Sequence, residues 1–143
     1  MKNVAYDVFR DFPRLPPNVQ WGEIKNKRSG QCLDTGSSQP PSTVSLTYCH
    51  GHGGNQLFRL NAEGQLGVGE RCVEASKARM SLTYCKLGTV DGPWKYDPTT
   101  RQMIYIASNL CLDVDQKSGK PHLAQCEDTE TQKWVWKKIK PRL

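Results

Sequence analysis

The chain has 143 residues, enough for one domain with a modest core, and 36% of them are hydrophobic. Mean hydropathy is -0.67, and no apolar run approaches the roughly 18 residues of a membrane-spanning helix, so direct membrane insertion is not expected. The net charge of +6 gathers mainly at Lys25-Asn26-Lys27-Arg28 and Lys137-Lys138-Ile139-Lys140-Pro141-Arg142. Neither cluster alternates with aromatics as a single-strand platform does, so a nucleic-acid partner is not expected, whereas an acidic partner remains compatible.

In chain order, Met1-Lys2-Asn3-Val4 carries no apolar signal-peptide core. Tyr6–Phe12 reads as a short helical or irregular segment. Pro13, Pro16 and Pro17 then stiffen the chain, so residues 1–20 read as a linker from something upstream, with an ordered arm anchored by Phe9 and Phe12 as the alternative. From Trp21 onward the pattern is short strands and turns. Trp21–Asn26, Val44–Tyr48 and Met80–Tyr84 alternate with period two. Leu57–Leu60, Ile104–Ile106 and Trp134–Trp136 are further strand-like runs. Arg28-Ser29-Gly30, Asn61–Gly64 and Lys117-Ser118-Gly119 are turns. No amphipathic helix of three turns is apparent.

A three-fold repeat organises these pieces. Cys32-Leu33-Asp34 leads to Cys49 and Gln56-Leu57-Phe58. Cys72-Val73-Glu74 leads to Cys85 and Gly92-Pro93-Trp94. Cys111-Leu112-Asp113 leads to Cys126 and Gln132-Lys133-Trp134. A repeat of about 40 residues signals a repeated architecture. With about four short strands per copy, it predicts an all-β body with three-fold pseudo-symmetry over 21–140 (copies 21–60, 61–100 and 101–140), followed by a tail at 141–143. The cysteines fall two per copy. Six allow 15 pairings, and the repeat favours Cys32–Cys49, Cys72–Cys85 and Cys111–Cys126. No two cysteines lie two to four residues apart, as zinc ligands usually do, so no metal site is expected. Disulfides imply an oxidising compartment.

Three Cys-Leu-Asp…Cys…Gln-x-aromatic units over about residues 21–140 resemble the ricin-B-type lectin, a β-trefoil. Within them, Cys49-His50-Gly51-His52-Gly53-Gly54-Asn55-Gln56-Leu57-Phe58 is similar to a segment of the C-terminal lectin domain of polypeptide N-acetylgalactosaminyltransferases, which start mucin-type O-glycosylation. The resemblance implies a non-catalytic module that binds N-acetylgalactosamine on glycopeptides in the Golgi lumen. It also implies a parent catalytic domain upstream, which would hold manganese and the UDP-sugar, and no cofactor in the lectin domain.

The motif residues divide into two groups. Phe58, Trp94 and Trp134 are expected to fill the three-fold core, with Leu33, Val73 and Leu112 inward beside the disulfides. The motif glutamines read more readily as structural than as ligand contacts, since buried amides must be bonded. Asp34 alone reads as a turn cap. Matched to the family, Asp34, His50 and Asn55 are the positions that hold N-acetylgalactosamine in the first repeat. A carboxylate can accept from two neighbouring hydroxyls, and Asn55 offers both a donor and an acceptor. Tyr48 is the candidate stacking aromatic, but the family places that residue where Thr47 stands. In an alternating strand Tyr48 can stack only across a bulge. The second repeat, with Glu74 and Asp91-Gly92, reads as a fold element only. The third keeps Asp113 and Gln132, has His122 near its loop and Thr131 in place of Asn55, and is a weaker candidate site. Asp115 is expected to face solvent. Two other roles stay open: a protein-interaction or stability module with vestigial sugar binding, and a lectin module of another secreted protein.

Overall fold

The computed structural model describes residues 18–86 and 92–139. Of the linker expected over 1–20, residues 1–17 lie outside them, as do Asp91 of the second repeat and the tail at 141–143, whereas residues 18–20 belong to the first strand. Thirteen strands run along the chain: β1 (Asn18–Asn26), β2 (Gln31–Asp34), β3 (Ser42–Thr43), β4 (Ser45–Tyr48), β5 (Phe58–Asn61), β6 (Leu66–Val68), β7 (Arg71–Ala75), β8 (Met80–Tyr84), β9 (Trp94–Asp97), β10 (Gln102–Tyr105), β11 (Leu110–Val114), β12 (Pro121–Ala124) and β13 (Trp134–Lys137). The helical elements among the described residues are two single 3-10 turns, Gly54–Gln56 and Glu130–Gln132. Each precedes the closing aromatic of its repeat.

Leaving aside the two-residue β3, the strands fall into three groups of four. The outer strands of each group form a barrel and the inner two form a hairpin. Antiparallel pairing joins β1 to β5 and β13, β5 to β6, and β9 to β10. The remaining seams are bridged by Trp94 N–H donating to Gly64 O (2.9 Å) and Trp134 N–H donating to Arg101 O (2.8 Å). A six-stranded barrel results, which removes exposed sheet edges. At the β1–β13 seam, Gly22 has φ +129°, and a Cβ there would collide with the backbone of Lys137, so a side chain would push the seam apart. The hairpins β2–β4, β7–β8 and β11–β12 cap the barrel. The fold is the expected all-β trefoil.

The period-two pattern explains the core. Alternate residues enter it, and Phe58, Trp94 and Trp134 meet Leu33, Val73 and Leu112 there, none more than 1% exposed. Burying an indole obliges its N–H to find an acceptor. Trp94 Nε1 donates to Val73 O (2.8 Å) and Trp134 Nε1 to Leu112 O (2.9 Å), the same bond in two repeats. Phe58 has no N–H to give. The three disulfides have the predicted pairing: Cys32–Cys49, Cys72–Cys85 and Cys111–Cys126, with Cα–Cα separations of 5.1, 4.9 and 5.0 Å. The first and third pin the base of a hairpin to the segment that leads to its motif glutamine.

Candidate carbohydrate site

Gln56 organises the first repeat. It is fully buried, and a buried amide must satisfy both its oxygen and its nitrogen. Its Nε2 lies within hydrogen-bond distance of Asp34 Oδ2 (3.1 Å), Thr47 Oγ1 (2.9 Å) and Tyr48 O (2.9 Å). Its Oε1 accepts from the backbone N–H of His50 (3.3 Å). One side chain therefore ties together the end of β2, the end of β4 and the loop after Cys49. The neighbouring residue, Asn55, is joined to the loop after β2, since Thr35 N–H donates to Asn55 O (3.1 Å). Asp34, His50 and Asn55 thus lie around one hub, and all three are half-buried.

The polar atoms left over define what this cluster can bind. A carboxylate offers about four acceptor positions. On Asp34, Oδ1 accepts from Gly36 N–H (2.7 Å), and Oδ2 accepts from Gln56 and from Thr47 Oγ1 (3.1 Å). Asp34 is therefore also the turn cap it resembles, with one acceptor position left, on Oδ1. His50 Nδ1 accepts from His52 N–H (3.0 Å), which assigns the neutral ring's proton to Nε2 as a donor. The side-chain nitrogen of Asn55 has no partner among the described residues, while its Oδ1 accepts from Arg71 Nη2 (3.1 Å). The site presents one anionic acceptor and two donors, a set suited to hydroxyls.

Tyr48 needs correction as the stacking partner. β2 and β4 pair without a bulge, Cys32 opposite Thr47 and Gln31 opposite Tyr48. Thr47 therefore shares the Asp34 face and bonds to it, while Tyr48 leaves on the other face, 74% exposed. Its ring meets His50 edge-on, with centroids 6.3 Å apart.

The third repeat rebuilds the hub with different neighbours. Gln132, 1% exposed, donates to Asp113 Oδ2 (3.0 Å) and Gln125 O (2.7 Å) and accepts from Glu127 N–H (2.8 Å) and Gln102 Nε2 (3.2 Å). Burial corrects Gln132 from a sugar contact to a support for Asp113. His122 lies opposite Asp113 in the β11–β12 register, but its Nδ1 is held by Lys77 O at 2.9 Å. Glu127 stands where the first repeat has His50. Thr131, in the place of Asn55, pairs its hydroxyl with Thr129 (3.0 Å). Asp115 caps its turn through Lys117 and Ser118 N–H (2.8 and 3.1 Å), which hold its carboxyl below the ordinary 3.8, Ser118 first and then Lys117. The second repeat has no hub, because Gly92 stands where the glutamine would be and packs on the Gly64 backbone; Glu74 is exposed.

The larger clefts lie elsewhere. One of about 630 Å³ is lined by Lys27, Arg101, Gln102, Glu127 and Lys133, and one of about 580 Å³ by Leu60, Trp94, Tyr96 and Ile106 among others. Neither includes Asp34, His50 or Asn55. Among the described residues, the trio whose ligand atoms approach one another closely enough for a metal is Glu23, Cys32 and Cys49. Both sulfurs are spent in a disulfide, so the trio does not fit a metal ion. Sequence reasoning missed Thr47 and Arg71 as site residues. Strand alternation pointed to Thr47, whereas Arg71 comes from another repeat and left no local signal.

The model for the ricin-type beta-trefoil lectin domain matches residues 20–134. N-acetylgalactosaminyltransferase 7 of Drosophila melanogaster is 47% identical over 99% of this chain and 24% of its own length. The Homo sapiens protein of the same name is 32% identical over 97% of this chain and 22% of its own length. The chain thus spans about a quarter of the length of these curated relatives. A crystal structure of GalNAc-T7 with UDP, GalNAc and Mn2+ superposes with a TM-score of 0.83 at 32% identity, over 97% of this chain and 26% of that one. The C-half of the earthworm R-type lectin, solved with GalNAc, shares the fold at a TM-score of 0.65 and 15% identity, over 81% of this chain and 96% of that one. The chain therefore belongs to the ricin-type β-trefoil lectin domain family, a carbohydrate-binding module similar throughout to the lectin region of an N-acetylgalactosaminyltransferase.

Proposed function

We propose that this domain recognises N-acetylgalactosamine already attached to a glycopeptide, through the first repeat, and so directs the O-glycosylation of a parent transferase in the Golgi lumen. The observation that carries the reading is the hub at Gln56, which gathers one carboxylate acceptor and two donors that have no partner among the described residues. A sugar hydroxyl would donate to Asp34 Oδ1, a charge-assisted bond. Asn55 Nδ2 and His50 Nε2 would donate to sugar oxygens on either side. The third repeat carries Glu127 in the place of His50 and Thr131 in the place of Asn55, and is the poorer candidate.

One acceptor position and two donors make few contacts, which gives weak affinity. Tethering makes weak affinity useful, because holding one glycosylated site raises the effective concentration of a second acceptor at a linked catalytic domain. The transfer chemistry, with manganese and the UDP-sugar, belongs to that upstream domain. Three disulfides suit the oxidising secretory lumen.

The test compares a peptide carrying N-acetylgalactosamine with the same peptide bare and with the same peptide carrying glucose. Calorimetry is expected to detect only the first. Equal binding of all three would refute the sugar reading. A specific observation favours one rival: three of the four acceptor positions of Asp34 are filled, and Tyr48 lies on the other face of its strand. If the domain docks on its parent catalytic domain and ignores glycopeptides, it is an interaction module.

A further inference from the structure

We infer that Arg71, which belongs to the second repeat, is the positioning residue of the first-repeat sugar site; the inference rests on the functional reading above. Arg71 opens β7, immediately before Cys72. Its guanidinium reaches across the repeat boundary. Nη1 donates to Gly36 O (3.2 Å) and Ser38 O (2.9 Å), and Nη2 donates to Asn55 Oδ1 (3.1 Å). One planar cation thus grips both walls of the site, the loop after Asp34 and the 3-10 turn that carries Asn55.

The consequence for specificity follows from donor and acceptor bookkeeping. A guanidinium only donates, so the side-chain oxygen of Asn55 must face Arg71 and its NH2 must face outward. Thr35 Oγ1 adds a longer contact to the same oxygen (3.4 Å). Unbraced, the amide could turn and present either end. Braced, it presents a donor, and the ligand atom beside it must be an acceptor. Gly36 is the residue whose N–H caps Asp34 Oδ1, so the same grip sets the carboxylate too. The β7–β8 hairpin supports the loop further, through β3 pairing with β8 and through Tyr84 Oη to Gln39 Oε1 at 3.3 Å.

The other two repeats lack this device. The residue before the leading cysteine is Gln31 in the first repeat and Leu110 in the third. Leucine has no donor, and the Gln31 side chain makes no hydrogen bond among the described residues. A lysine would bring the charge and three donors but not the rigid planar fork that spans the two walls.

The test is an NMR titration of the 15N-labelled chain with N-acetylgalactosamine, reading affinity and the Asn55 side-chain NH2 pair together. In Arg71→Met we expect affinity about tenfold weaker (~1.4 kcal/mol) and the Asn55 pair shifted toward its free position. Arg71→Lys should fall between, and it decides by the same two readouts if Arg71→Met does not fold. Wild-type affinity in Arg71→Met overturns the inference, whatever the Asn55 pair does. So does weaker affinity with an unmoved Asn55 pair, since Arg71 would then act elsewhere. A wild-type chain that ignores the sugar refutes the functional reading instead, and the Asn55 pair alone then judges whether Arg71 orients the amide.

Discussion

The first and third repeats share one scaffold and differ in what they hang on it. Each buries a motif glutamine that bonds an aspartate, a carbonyl before the second cysteine and an amide after it. Around that common hub the first repeat places His50 and Asn55 and the third places Glu127 and Thr131. The hub is therefore architecture, shared by these two repeats whatever neighbours they carry. The neighbours decide whether the surface offers donors beside its carboxylate. The second repeat, with Gly92 at the hub, shows that the fold tolerates losing the device where backbone packs on backbone instead.

Removing the hub separates the two roles most sharply. Gln56→Leu would leave Asp34 and the His50 amide without this partner, at about 1–3 kcal/mol in all, since both are only half-buried. Gln132→Leu should cost a similar amount of stability. Only Gln56→Leu should also abolish sugar binding in protein that remains folded. Urea titration with a parallel binding assay checks both, and equal loss of binding in the two variants would break the comparison.

The closing aromatics give a smaller contrast. Trp134→Phe removes the Nε1 bond to Leu112 O while keeping most of the ring, at about 1–2 kcal/mol. Phe58→Leu deletes packing but no hydrogen bond. The Trp134→Phe loss should show in the thermal midpoint without any change in sugar affinity; a midpoint equal to wild type would mean that the Leu112 carbonyl finds another donor.

The smallest expected effect is on pH dependence. Asp115 in the third repeat has Gly36 as its first-repeat counterpart, so only one loop carries this carboxylate. Its pKa is lowered by the N–H groups of Ser118 and Lys117. A lowered folded pKa contributes stability above the unfolded value and loses it as pH falls through the folded one. Stability should therefore decline below about pH 4, the ordinary carboxylate range, and Asp115→Asn should flatten that acid limb slightly. Asp97 behaves alike, held down first by Thr99 and then by Thr100 N–H. An acid limb unchanged in the double Asn variant would contradict the assignment.

Much of the fold was legible before the structure. The repeat of cysteines and aromatics carried the three-fold body and the disulfide pairing, because each copy must bury the same groups. His50 and Asn55 were legible in the Cys49–Phe58 segment and Asp34 in the Cys-Leu-Asp motif, and the fold gathers the three around Gln56. Tyr48 was misplaced because an exposed aromatic beside a cysteine says nothing about its face until the register is known. Gln132 follows the structural reading of the motif glutamines rather than its place in the weaker third-repeat site, because it is buried and bonds Asp113. Arg71 was invisible because its partners lie 16 to 35 residues away in another repeat.

The most direct test of the central claim is a chemical-shift titration with N-acetylgalactosamine, with glucose as control, on the wild-type chain, Asp34→Ala and Asp113→Ala. The account predicts saturable shifts around Asp34, His50 and Asn55, lost in Asp34→Ala and kept in Asp113→Ala. Shifts centred on Asp113 that survive Asp34→Ala, or none with the sugar at tens of millimolar, would contradict it.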